Sequence, residues 1–479
     1  MSKTDDLLLR GSIAEIAAAY RRRELSVADA AAFYLRRIET LNPSLNAIRE
    51  VSPRVAQDAR RADEALGAGK DLGPLHGIPV LLKDNIFTGE GMRASAGARA
   101  LADFVPGRDA TIAARLRQAG AIVLGKTNLT EFADYVADTM PSGFSGAGGV
   151  VRNPHGIEYG RGQGSSVGSA AAVAAGLAPA AIGSETQNSI QTPACYSSVV
   201  GYKPSVGMTS RDGVVPLVPS QDSPGPLARC VADAALVAAA IAGPDAKDTA
   251  TLGFSHALLP GALPPASLKG VRIGVPRRQM AERPDFALVL PLFKAALEKL
   301  AAAGAVLVDP CDLPSAEQLQ EVRSSVFRTE FKAALNALLE QCGAPCGIGS
   351  MEALIRWNAA HPEAIPHGQS LLMAAQATHG LQDPVYRADR ARDIALSLTG
   401  GIEAALKANG IEALISPMGA AAKYTGKAGA PAIALPAGLQ PDGTPFGVTL
   451  YAAPGSDARL LAIAAGAEAA LGPRRAPKL

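Results

Sequence analysis

Neither sign of charge dominates this chain. Its 46 Lys and Arg stand against 44 Asp and Glu, a formal net charge of +2, which gives no electrostatic basis for binding nucleic acid or an anionic membrane. Aromatic residues amount to only 4%, too few for base-stacking platforms or a membrane aromatic belt. Long apolar runs are missing as well. The most hydrophobic windows, residues 170–182 and 231–242, are alanine-rich and are interrupted or flanked by Gly and Pro well short of a membrane span, so both read as buried helices of a soluble protein. The opening residues MSKTDDLLLRGS lack the apolar core of a secretory signal, and the five cysteines are odd in number and scattered. A reducing, cytoplasmic setting is the expectation. Cys342 and Cys346 have the look of half a metal site, but no second Cys/His pair lies nearby, and neither metal nor cofactor is expected. None of the six histidines sits in a context suited to a Ser-His-Asp triad; His76, close in sequence to Lys83, is the one worth following.

What is present is globular composition, 48% hydrophobic and 19% charged over 479 residues, enough for one sizeable core. Ser12 and Ser26 each precede an acid by three residues and then apolar positions at helical spacing, so the chain is expected to open with two helices. Continuous apolar runs at 78–82 and 121–124, separated by a helical stretch over 109–118, read as strands buried on both faces. Residues 204–226 read as turns, 231–242 as a helix and 245–268 as a surface crossing. A strand, helix and strand follow at 271–275, 286–303 and 305–308. Helices dominate 316–409, and short strands at 413–416, 432–435 and 447–451 precede a closing helix from Asp457. No repeat, charge run or linker divides the chain. The expectation is a single α/β domain over 1–479, with one large mixed twisted sheet, helices on both faces and a helical insertion at about 316–409.

Two stretches carry chemistry. In HGIPVLLKDN (76–85), Lys83 ends an apolar run where a strand leaves the core for a polar turn. Burial disfavours the ammonium, and a neutral amine is a base. Downstream, GQGSSVGSAAAVAAGLAPAAIGSETQNSIQTP (162–193) sets Ser165 and Ser189 in small-residue turns. A Gly-rich loop before a helix also suits a phosphate cradle, but that fold needs a strand just before the loop, and NPHGIEYG (153–160) is polar and turn-rich. Two serines and a base-competent lysine point instead to acyl transfer by a serine nucleophile. A serine in a tight turn can also leave backbone N–H groups aimed at the oxyanion it generates.

Together the blocks GPLHGIPVLLKDNI (73–86), AIVLGKTNLTEF (121–132), GSSVGSAAAVAAG (164–176), GSETQNSIQTPA (183–194), VVGYKPSVG (199–207) and GAPAIALPAG (429–438) resemble the amidase signature family of serine hydrolases along nearly the whole chain. Glu185-Thr186, MTSRDGVVPLVPSQDSPGPLAR (208–229) and IAGPDAKDTAT (241–251) look most like the branch containing bacterial peptide amidases. The resemblance implies Ser189 as nucleophile, Ser165 as a bridging serine on a cis peptide and Lys83 as base, with the amides of Thr186, Gln187, Asn188 and Ser189 as oxyanion hole. It also implies a small-molecule amide substrate and the family's fold, and leaves a homodimer open. Esters, anilides and carbamates fall within the same chemistry. Gln187-Asn188 stands where the family has Gly-Gly or Asp-Gly, and Asn at 188 would serve a left-handed turn. Two alternatives go with that departure and with the wider family: a catalytically weak relative that binds carbonyl ligands, and the ammonia-releasing subunit of a tRNA-linked amidotransferase. The second is disfavoured by Ile190-Gln191-Thr192, where such subunits read Ile-Arg-Gln. The acyl pocket is expected to draw on the loop 140–145 and the helical insertion.

Overall fold

A computed structural model describes residues 2–256, 267–281 and 286–479. In chain order the strands are β1 (Ile48–Val51), β2 (Pro79–Lys83), β3 (Ile122–Thr127), β4 (Phe144–Ser145), β5 (Gly149–Val150), β6 (Ala180–Glu185) and β7 (Val200–Lys203). They continue with β8 (Ser223–Ala228), β9 (Arg272–Gly274), β10 (Val306–Val308), β11 (Ala413–Pro417), β12 (Ala432–Leu439) and β13 (Pro445–Tyr451). β4 and β5 pair only with each other; the other eleven form one sheet in the order β1-β3-β2-β6-β8-β7-β12-β13-β11-β9-β10. It is mixed, with β2 parallel to both β3 and β6 while β8 runs antiparallel to β6 and β7.

Successive side chains of a strand point to opposite faces, and every residue of β2, β3 and β6 is buried. Both faces of the sheet centre are therefore covered, as the unbroken apolar runs require. The helices expected near residues 109–118, 231–242 and from Asp457 are Thr111–Gln118, Val231–Ile241 and Asp457–Leu471. Residues 316–409 are built of helical segments running from Ala316–Glu321 to Glu403–Asn409. No helix among the described residues is long and apolar enough to cross a membrane.

Three local expectations need correction. The window 170–182, expected as a buried helix, is helical only as far as Ala174, and Ala180–Ile182 open strand β6 beyond a turn at Gly176. The chain opens with three helices, because Lys3–Arg10 precedes Ile13–Arg21 and Val27–Leu45, fastened by a reciprocal Ser2–Asp5 capping box. The stretch 204–226 is not all turn, since Ser223–Ala228 is a central strand despite Pro224 and Pro226. Those prolines are tolerated because β7 pairs only with Leu227 and Ala228, so neither missing N–H interrupts that ladder. Of the expected surface crossing at 245–268, residues 257–266 lie outside the described residues.

Because β2 and β6 are parallel neighbours, Lys83 and Glu185 at their carboxyl ends open onto the same edge of the sheet. That edge is the usual place for ligands in sheets of this kind.

Candidate active site

Lys83 is fully buried. Its Nζ lies 2.7 Å from Ser165 Oγ, 3.2 Å from the Ser184 carbonyl oxygen and 3.1 Å from Ser184 Oγ. Burial brings its pKa from 10.5 to about 7, against the opposing pull of Asp222, Glu185 and Asp134. A neutral amine has two N–H bonds and one lone pair. With the N–H bonds on Ser184 O and Ser184 Oγ, the lone pair faces Ser165. Asn85 Nδ2 donates to Ser184 Oγ at 2.9 Å and holds that hydroxyl in place.

Ser165 follows a cis peptide bond from Gly164. The loop is pinned by three hydrogen bonds: Thr130 N–H donates to Ser165 O at 3.0 Å, and Ser142 Oγ accepts from Gln163 N–H at 3.0 Å and Gly164 N–H at 2.9 Å. Ser142 in turn donates to Asp134 Oδ2 at 2.8 Å. A Cβ at Gly164 would lie 2.4 Å from Thr130 Oγ1, so the close approach requires glycine. Ser142→Ala leaves two amides without their acceptor, at about 1–3 kcal/mol for each that stays dry. Urea denaturation is expected to report a loss in that range together with reduced turnover; an unchanged midpoint would show that water replaces the hydroxyl.

The Ser189 loop is tied to the Ser165 loop by Ser166 N–H, which donates to Ser189 O at 3.0 Å. Ser189 is 3% exposed, and no described residue hydrogen-bonds to its hydroxyl. Glu185 Oε2 accepts the amides of Ile190 and Gln191 at 2.6 and 2.8 Å, whereas those of Gln187, Asn188 and Ser189 donate to no described residue. Burial raises the Glu185 pKa, with the equally buried Lys203 opposing. Thr186 Oγ1 donates to Asp222 Oδ1 at 2.6 Å, and Asp222 Oδ2 takes the amides of Leu217 and Val218. Asn188 is not left-handed; the positive-φ non-glycine residues near the site are Phe132, Ala133 and Asp134. Instead, Asn188 Nδ2 donates to Gly162 O and Gln187 Nε2 to Gln221 Oε1 at 3.1 Å, so both side chains brace the turn.

Sequence reasoning missed Ser184, Asn85, Ser142, Asp134 and Asp222. Only Ser184 and Asn85 carry a signal, each lying beside a motif residue. His76 is not at the site: Nδ1 accepts from Leu72 N–H at 3.0 Å, and Nε2 lies 3.0 Å from Ala62 O. A cavity of about 300 Å³ adjoins Ser184, Asn85 and Thr186, walled by Val214, Val215 and Leu217 and by Ala334, Ala337 and Leu338 of the helical insertion. The loop 140–145 contributes through Ser142, behind the cis peptide, rather than to this cavity.

The sequence matches the family model described as Amidase over residues 29–461. The native peptide amidase of Stenotrophomonas maltophilia superposes with a TM-score of 0.90 at 39% identity, covering 98% of each chain. A protein of Arabidopsis thaliana named as a probable amidase is 33% identical over 98% of this chain and 91% of its own length. A glutamyl-tRNA(Gln) amidotransferase subunit from Prochlorococcus marinus is 34% identical over 95% of this chain and 96% of its own length.

Proposed function

Since this chain belongs to the amidase family of amide-bond hydrolases, we propose that it cleaves a carboxamide through an acyl-enzyme on Ser189. Neutral Lys83 accepts the Ser165 proton as Ser165 takes that of Ser189, and Ser189 Oγ attacks the carbonyl carbon. The oxyanion is received by the amides of Thr186, Gln187, Asn188 and Ser189. Lys83 returns its proton through Ser165 to the departing nitrogen, the C–N bond breaks, and ammonia or an amine leaves. Water attacks the ester by the same route in reverse and releases the acid.

The observation that carries this reading is a fully buried amine, its pKa brought by burial to about 7, 2.7 Å from the Ser165 hydroxyl. The uncommitted amides at 187–189 support the oxyanion assignment, because Glu185 occupies the next two donors and leaves these without an acceptor among the described residues. Likeness to a peptide amidase favours peptide amides as the substrate class, with esters, anilides and carbamates as further acyl donors. A panel of these four classes, assayed with the wild type and Ser189→Ala, tests the proposal. Hydrolysis of none of them, together with no fluorophosphonate labelling of Ser189, would favour instead a carbonyl-binding relative without turnover.

A second reading, the ammonia-releasing component of a tRNA-linked amidotransferase, is favoured by the full-length likeness to the Prochlorococcus marinus protein. Against it stands Gln191, whose Nε2 is held by Glu185, Gln187 O and Thr425 Oγ1. Gln187→Asp with Asn188→Gly removes both braces of the nucleophile turn, and the ratio of kcat/KM between bulky and small leaving groups is expected to shift about tenfold. An unchanged ratio would show that neither side chain sets substrate choice.

A further inference from the structure

A second cavity, of about 460 Å³, lies away from the site just described. Its walls include Ser12, Arg229, Asp233, Glu468 and Arg474. Arg229 directly follows β8, whose Ala228 pairs with Ala180 at the start of β6, whereas Ser184 and Glu185 stand at the other end of that strand. Five residues of extended chain, about 17 Å, separate the two ends of β6.

Arg229 is 6% exposed, and its Nη1 donates to Leu8 O at 2.7 Å, an acceptor shared with Tyr34 Oη. Its Nε and Nη2 are buried without a hydrogen-bond partner. These two N–H groups form the edge of a guanidinium that fits both oxygens of one carboxylate. Elsewhere in this protein that edge is filled in this way: Arg22 grips Glu24 through Nε and Nη2, Arg277 grips Asp309, and Arg211 grips Asp248. Arg474 Nη1 is likewise buried and unpartnered.

The carboxylates of the cavity do not fill these places. Glu468 accepts Val231 N–H on both oxygens, Glu15 is bound to Ser12, and Asp233 Oδ1 accepts Ile13 N–H at 2.8 Å. Asp233 Oδ2 is itself a buried acceptor without a partner. Burial raises Asp233 to about 6 and Glu468 to about 7, and burial with the nearby Arg229 brings Arg474 down to about 10. Leaving buried charged groups unpaired is costly, and a ligand bearing both complements relieves several of them at once.

We propose that this cavity is a binding site for a free α-amino acid, its carboxylate on the open edge of Arg229 with Arg474 beside it and its ammonium on Asp233 Oδ2. The lining selects a zwitterion over a dianion, because Arg229 and Arg474 share the cavity with Asp233, so a ligand there meets groups of both signs. A phosphate brings no cation to Asp233 Oδ2, and near neutral pH its second negative charge would face Asp233 and Glu468. Its place at the opposite end of β6 from Ser184 and Glu185 makes this an effector site, through which an amino acid would stabilise the packing of the N-terminal helices on the C-terminal segment.

The test is thermal-shift and calorimetric titration of the full chain with the common amino acids, and with acetate and inorganic phosphate as separate arms. At least one amino acid is expected to raise Tm by several degrees, with acetate weaker and phosphate without effect. Arg229→Lys loses the bidentate edge and is expected to raise Kd at least about tenfold, or about 1.4 kcal/mol. Should that variant not fold, Arg474→Ala, whose guanidinium makes no hydrogen bond among the described residues, gives the same readout with a smaller effect. Ser189→Ala should retain the shift. Absence of any shift at millimolar amino acid, a stronger effect of phosphate, or a Kd unchanged in the arginine variants would overturn the assignment.

Discussion

Ser189→Ala is expected to lower kcat for carboxamide hydrolysis by about 10⁶-fold, the scale found when the nucleophile of a serine hydrolase is removed. The physical reason is that, in the proposed relay, the Ser165 hydroxyl is occupied in passing the proton between Ser189 and Lys83, 2.7 Å away, so the acyl bond falls to Ser189. The fold should survive, because the Ser189 hydroxyl makes no hydrogen bond among the described residues and its loss leaves no partner stranded. Stability within about 0.5 kcal/mol of the wild type is therefore expected. Hydrolysis assays, fluorophosphonate labelling and urea denaturation check the three parts separately. Residual turnover above a few per cent in a folded, unlabelled variant would remove Ser189 from the role of nucleophile. Unlike Ser142→Ala, this substitution should separate activity from stability.

Lys83→Met should abolish turnover to a similar extent while stabilising the protein at neutral pH. In the wild type, kcat/KM is expected to rise with pH as a single deprotonation centred at about 7, where burial places Lys83, since only the neutral amine can accept the serine proton. The same shift predicts the stability. Between pH 7 and 10.5 the unfolded chain holds a proton on Lys83 that the folded chain does not, so folding stability rises with pH across that window. Below about pH 7 both states are protonated, and the folded protein carries the full penalty of a buried ammonium. Methionine removes it, so Lys83→Met should gain most over the wild type below pH 7, with the advantage shrinking toward pH 10.5. Part of the gain is offset by hydrogen bonds lost to Ser165 and Ser184, at about 1 kcal/mol each. Lys126 and Lys203, both brought to about 8 by burial, titrate in both proteins and cancel in the comparison. Urea denaturation at pH 6.5 and pH 10 measures the difference. A variant less stable than the wild type at both pH values would show that the hydrogen bonds outweigh the desolvation.

The buried strands β2 and β3 and the opening caps at Ser12 and Ser26 were legible because each signal is local: an unbroken apolar run, or a serine and an acid three residues apart. Strand β6 was not, because its alanines continue the composition of the helix before it. The helix Lys3–Arg10 escaped because it is short and mostly polar on one side. Strand β8 escaped because its prolines imitate a turn, and only its neighbours reveal that their missing N–H groups face no partner. The positive φ expected of Asn188 was argued from residue type alone. The folded chain meets the same need with side-chain bonds to Gly162 and Gln221.

What the sequence settled by itself was chemical inventory: a lysine at the end of an apolar strand, two serines in small-residue turns, and no histidine set among them. What only the tertiary structure decided is how those groups are electrostatically and geometrically poised. Ser184 directs the Lys83 lone pair from a strand about a hundred residues further along the chain, and Ser142 and Asp134 support the cis peptide from a third segment. Asp222 clamps the loop that carries Ser189 through Thr186, and Arg229 keeps an open edge among helices from both ends of the chain. Apolar periodicity is written along the backbone within a few residues, whereas desolvation and hydrogen-bond partnership depend on which distant segments fold against a group.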